Sequence, residues 1–198
     1  MTDSQHLDHL KQSLEATRKV AQAMLEQASL HAALLQAVET CATALSHRRR
    51  VFFAGNGGSA AEAQHFAAEL LGRFLIDRAP LPAMALHVDT SAMTAIGNDF
   101  GFDQVFSRQL QGLGQAGDVL VALSTSGRSK NILAAMEVAR HMGISTIAMT
   151  GSDPRDMGRL ADVVLAVPST HTPQIQEGHL VLGHLLCDLV ERHLSKSA

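Results

Sequence analysis

The sequence predicts a three-layer α/β/α domain on a five-stranded parallel sheet, preceded by two N-terminal helices. Three observations carry that expectation. Short apolar runs at 51–54, 83–88, 119–123, 145–149 and 163–167 alternate with helical patterns. Runs such as Val163-Val164-Leu165-Ala166-Val167 are apolar throughout, which suits strands covered on both faces and therefore a parallel sheet. Two of the runs end in small residues at the start of a helical segment, the arrangement by which α/β proteins place a ligand at the carboxyl ends of their strands.

The elements follow in order. Leu7, Leu10, Leu14, Ala21, Met24, Leu25 and Ala28 recur at helical spacing and predict an amphipathic helix over about 4–28. A second helix is expected over about 31–47 through Leu34, Leu35, Val38 and Leu45. This helical segment, about 1–47, either packs on the sheet or serves in oligomer packing. Beyond it, helices are expected at about 59–73, 102–113, 129–142 and 173–194. Pro80 and Pro82 punctuate the turn into the second strand, and Pro154 and Pro168 fall in loops. With no long linker, low-complexity tract or internal repeat, residues 1–198 read as one domain.

Composition narrows the function classes. The 198 residues are 46% hydrophobic and 18% charged, as expected of a globular chain with a sizeable core. A net charge of -3 argues against nucleic-acid binding driven by counterion release. The basic run His47-Arg48-Arg49-Arg50 reads as cations at a helix C-terminus just before a strand. Cys41 and Cys187 belong to no CxxC pair, the polar N-terminus shows no signal-peptide pattern, and no apolar run approaches the ~20 residues of a membrane span. A cytoplasmic protein with neither membrane nor nucleic-acid partner is expected.

The first loop, Gly55-Asn56-Gly57-Gly58-Ser59-Ala60, fits the GxGxxA dinucleotide fingerprint. That fingerprint wants an acidic residue at the end of the next strand, and the candidate, Asp77, lies ahead of that strand. The second loop, Ser124-Thr125-Ser126-Gly127-Arg128-Ser129, gathers four hydroxyls at one helix start, which is more than N-capping requires and suits a phosphate monoester. His65 and Glu69, four apart, share a helix face. They can begin a zinc site, act as a base and its tuning neighbour, or be a surface pair. Gln176 and His184, eight apart on a later helix, lie about 80° apart around its axis and about 12 Å along it, so both can face one cleft. His179 points away from His184 and reads as structural or interfacial.

Taken together, Gly55-Asn56-Gly57-Gly58-Ser59, His65-Phe66-Ala67-Ala68-Glu69-Leu70, Gly97-Asn98-Asp99-Phe100-Gly101-Phe102, Ser124-Thr125-Ser126-Gly127 and Ile175-Gln176-Glu177 resemble the bacterial phosphoheptose isomerases of the sugar-isomerase (SIS) domain group. The resemblance covers essentially the whole chain and implies the flavodoxin-like SIS fold. It also implies an aldose–ketose isomerase that interconverts sedoheptulose 7-phosphate and D-glycero-D-manno-heptose 7-phosphate through an enediol, at the first step towards the activated heptose of lipopolysaccharide core and other surface glycans. By the same resemblance the enzyme is a homotetramer with active sites at subunit interfaces and one zinc per subunit, held by His65, Glu69, Gln176 and His184. Glu69 and His184 are implied as the proton-transfer residues. Asn56, Gly57, Gly58, Ser59, Glu69, Arg73, Asn98, Asp99, Ser124, Thr125, Ser126, Ser129 and Gln176 are implied as substrate contacts. Two departures stand out: Arg128 replaces the Asn of many relatives, and Pro173 the Asp of some. The alternative from another class is a non-catalytic SIS-domain tetramer that regulates the replication initiator. That relative lacks the Glu at the position of Glu69 and has a disrupted glycine loop, and here both are intact. An isomerase or sensor of another phosphosugar is a further alternative.

Overall fold

In the computed structural model, which describes residues 3–195, the chain begins with helices α1 (Asp3–Glu26) and α2 (Ala28–Ser46). Then follow β1 (Val51–Ala54), α3 (Gly58–Leu71), β2 (Ala83–Ala85), α4 (Thr90–Phe100) and α5 (Ser107–Leu113). The chain continues through β3 (Val119–Ser124), α6 (Lys130–His141), β4 (Ser145–Thr150), α7 (Arg155–Leu160), β5 (Val163–Ala166) and α8 (Thr172–Ser195). All strand pairs are parallel, in the order β2-β1-β3-β4-β5. In this order the chain reverses direction across the sheet between β1 and β3, which opens a crevice at their carboxyl ends.

The period-two alternation of the strands divides the core cleanly. Val51, Phe53, Val121, Leu123 and Met149 face a layer made by α2, α3 and α8. Phe52, Ala54, Leu120, Ala122 and Ala148 face the layer made by α5, α6 and α7. Both faces are therefore covered, which is why the strand sequences are apolar without interruption. Among the described residues, no helix is long and apolar enough to cross a membrane.

Several boundaries differ from expectation. The second strand ends at Ala85 rather than 88; Leu86 still donates to the carbonyl of Phe53 before the chain turns into α4. Helix α4 has no counterpart in the sequence reading. It packs on the core only through the partly buried Met93 and Ile96, too short an apolar stripe to stand out, and its other local signal is Asp89, which caps it by accepting from the N–H of Ala92 at 2.9 Å. The helix expected at 102–113 is split: Gly101, at φ +87, leads into a single 3-10 turn over Phe102–Gln104 before α5. The short helix α7 was also not foreshadowed.

Helix α1 rests chiefly on α8 rather than on the sheet, with Met24 buried and Thr17 Oγ1 donating to Glu177 Oε2 at 2.7 Å. The basic run sits just past the end of α2. Its last member, Arg50, ties the start of β1 to the start of β3 through its N–H on Asp118 Oδ1 (2.8 Å) and to the end of α5 through its guanidinium on the Leu113 carbonyl (2.6 Å).

Candidate active site

The crevice is built first by the glycine loop. A Cβ at Gly55 would strike the backbone of Ser59, and one at Gly58 would strike the side-chain amide of Gln176, so the loop can close down on α3 and α8 only with hydrogens at those positions. Gly57 takes φ +56, a conformation that favours glycine. Asn56 is held by a reciprocal amide pair with Asn131 near the start of α6, both hydrogen bonds at 2.9 Å. Asn131 is buried and joins the two ligand loops; sequence reasoning passed over it because one Asn in a helix carries no pattern.

The serine loop closes the other side. Ser124, buried at the end of β3, lies 2.9 Å from the hydroxyl of Ser129 and 3.5 Å from that of Ser126. Together with Asn56, Gly58, Ser59, Thr125, Gln176 and Thr172 these residues line a pocket of about 280 Å³. The N-termini of α3 and α6 both start at its loops, so free N–H groups and the positive ends of two helix dipoles accompany the hydroxyls. Thr172, the first residue of α8, is a lining group that sequence reasoning missed. Arg128 lies in a neighbouring cavity of about 190 Å³ that shares Thr125 and Ser126 and also receives Arg155. Asp77, the ribose candidate of the dinucleotide reading, is exposed in the loop before β2.

The third part is assembled by α3 and α8. His65 and Glu69 meet on one face of α3, with His65 Nε2 3.5 Å from Glu69 Oε1. His184 arrives from α8 and brings its Nε2 to 2.8 Å from that of His65. The three ligand atoms lie within 4.8 Å of one another, and each residue is partly buried. Two imidazole nitrogens and a carboxylate oxygen on rigid helices are a donor set that suits a transition metal such as zinc. Phe74 stacks on the His184 ring, centroids 5.4 Å apart and planes 17° apart. Gln176 faces α3 as His184 does, but its amide lies against Gly58 at the mouth of the serine pocket.

The other candidates lie apart. Arg73 is exposed just past the end of α3. Asn98 and Asp99 are exposed on α4, paired with each other at 2.8 Å, and do not line the serine pocket. His179 is fully buried, with Nε2 3.2 Å from the Thr150 carbonyl and Nδ1 3.7 Å from Glu62 Oε2, which makes it structural.

Residues 14–151 match the SIS domain family, so the parallel sheet with its glycine and serine loops at the switch point is an SIS domain. The chain is 46% identical to the phosphoheptose isomerase of Sulfurimonas denitrificans, over 94% of this chain and 95% of that one. Among solved structures, the phosphoheptose isomerase of Neisseria gonorrhoeae superposes with a TM-score of 0.87 at 41% identity, covering 93% of this chain and 98% of that one. The phosphoheptose isomerase of Francisella tularensis superposes with a TM-score of 0.91 at 36% identity, covering 97% and 100%. The chain belongs to the phosphoheptose isomerase family.

Proposed function

We propose that the protein isomerises sedoheptulose 7-phosphate to D-glycero-D-manno-heptose 7-phosphate, the step that commits a seven-carbon sugar phosphate to heptose biosynthesis. Family membership supports the reaction, and the observation that carries it for this chain is the convergence of His65, Glu69 and His184 within 4.8 Å. The phosphate enters the serine pocket, contacted by Ser124, Thr125, Ser126, Ser129 and the loop Asn56–Ser59. Binding there, remote from the reacting carbons, orients the flexible sugar for proton transfer. Glu69 takes the proton from C1 and returns it to C2, while His184 passes a proton from the C1 hydroxyl to the C2 carbonyl oxygen.

His65, Glu69, His184 and Gln176 are the residues that would hold one zinc per subunit. Bound there, the ion supplies positive charge that offsets the charge of an enediolate. A carboxylate has two oxygens, so Glu69 can serve the metal with one and the substrate proton with the other.

The active form in this reading is a homotetramer with its sites at subunit interfaces. Leu7, Leu10, Leu14 and Leu25 on α1 are each at least half exposed, and an apolar groove of about 260 Å³ runs between α1, α2 and α8. Exposed Asn98 and Asp99 on an unburied helix fit a contribution to a neighbouring subunit's site, and Arg73 fits a contact with substrate charge.

Proton exchange at C1 of sedoheptulose 7-phosphate in heavy water, followed by NMR with and without a zinc chelator, tests the reading. Exchange with appearance of the aldose, lost on chelation, is expected. No exchange even with added zinc would leave the regulatory-tetramer alternative in its place.

A further inference from the structure

We propose that Glu191 and Arg78 are positioning residues for His184, acting through Phe74. Glu191 lies on α8 and is fully buried. Its Oε1 accepts from the N–H of Phe74 at 2.7 Å, and its Oε2 from those of Leu75 (2.8 Å) and Ile76 (3.1 Å). Arg78 Nη2 meets the same carboxylate at 2.7 Å and also donates to the carbonyl of Glu69 at 3.0 Å, while Nη1 donates to that of Leu70 at 2.9 Å. One ion pair thus caps the end of α3 and pins the following loop to α8.

A buried ion pair is seldom explained by stability, since apolar residues of the same volume often serve as well. What this pair supplies is geometry. Three consecutive N–H groups aimed at one carboxylate fix the backbone of 74–76, and with it the Phe74 ring. That ring lies nearly parallel to the imidazole of His184. Among the described residues, the only hydrogen bond of the His184 ring is the one from Nε2 to His65. Working imidazoles ordinarily have their plane set by a partner on the second ring nitrogen. Here the face of Phe74 takes that part, and Glu191 with Arg78 holds the face in place.

The inference rests on His184 acting in the isomerase, so the test separates the two. Wild type, Phe74→Leu, Glu191→Gln and the double variant are compared by kcat and KM, by thermal midpoint, and by the NMR shifts of the His184 ring protons in metal-free protein. Phe74→Leu is expected to lower kcat roughly tenfold with little change in KM, and Phe74→Tyr to restore it. The double variant is expected to be no worse in kcat than the poorer single one, because both act by one route. The ring-current shift on His184 should be lost in both single variants. Wild-type kcat in Phe74→Leu with an unmoved His184 resonance overturns the proposal, as does a kcat loss in Glu191→Gln that simply adds to that of Phe74→Leu. If Glu191→Gln does not fold, Arg78→Lys, which keeps the charge but loses the guanidinium fork, takes its place: a lowered kcat with a moved His184 shift supports the proposal, and wild-type values of both overturn it. An inactive wild type whose His184 shift still depends on Phe74 and Glu191 overturns the isomerase reading and supports the positioning.

Discussion

The serine pocket and the His65–Glu69–His184 cluster are built in opposite ways. The pocket's hydroxyls come largely from one turn, Ser124 to Ser129, and bond to each other there. The cluster exists only because α3 and α8 meet, bringing together ring nitrogens from residues 119 apart in sequence. A site half made by a turn keeps its shape as long as its strand and helix form. A half made by two helices depends on everything that sets their separation, including Gly183, where a Cβ would strike the Phe66 ring.

That contrast can be broken from either side, and the largest effect is expected at the cluster. Glu69→Gln should lower kcat by roughly 10²–10⁴ while leaving the circular dichroism spectrum and thermal midpoint near wild type. Retention of more than about a tenth of the activity would remove Glu69 from its role as base. On the pocket side, Ser124→Ala with Thr125→Ala should raise KM roughly tenfold to a hundredfold, a net loss of about 1.5–3 kcal/mol, that of one charge-assisted hydrogen bond, because Ser126 and Ser129 remain, with kcat nearly kept. Steady-state kinetics reads both. A pair of variants with the reverse pattern would mean that the halves had been assigned the wrong way round.

Gly183→Ala sharpens the comparison, because it replaces no residue of either half but disturbs the packing on which only the cluster depends. Forcing α3 and α8 apart should cost about 1–3 kcal/mol of stability and weaken metal binding, measured by competition with a chromophoric chelator. Phosphate-dependent protection of the serine loop in hydrogen exchange should survive. Last, the contribution of Glu191 is expected to change with pH. Burial by itself pushes its carboxyl up, but the N–H groups of 74–76 and the Arg78 guanidinium outweigh that and hold it below the usual value of 4.5. With the folded value below the unfolded one, the carboxylate's extra stability is complete above the ordinary value and is lost as pH falls through the folded one. Denaturant titrations should show the stability gap between wild type and Glu191→Gln steady at neutral pH and narrowing as the pH falls below the ordinary carboxyl value of 4.5. A gap that is flat or widens towards acid would contradict the assignment.

Much of this was legible beforehand, and unevenly so. The strand runs of β1, β3, β4 and β5, the glycine loop and the serine loop are written in contiguous residues. The His65–Glu69 pair follows from helical spacing alone. Gln176 and His184 could be placed on one side of α8, but not on their partners: Gly58 for one, His65 for the other. Asn131 gave no sign that it would pair with Asn56 across 75 residues. Phe74, Arg78 and Glu191 look like an ordinary loop and an ordinary helical face until the fold joins them. Helix α4 escaped notice because its apolar period, Met93 and Ile96 against the core, spans barely a turn.

The sequence by itself therefore determined the alternation of strands and helices, the two ligand loops and the face of α3 that carries His65 and Glu69. Each of these follows from turn chemistry or from a period of two or 3.6 residues, which act over a few residues at a time. Only the tertiary structure decided that β1 and β3 are neighbours, that their loops share one crevice, and that α8 delivers His184 to α3. Those outcomes depend on strand order and on how closely two helices pack, and both are settled by burying the whole core at once rather than by any local stretch of chain.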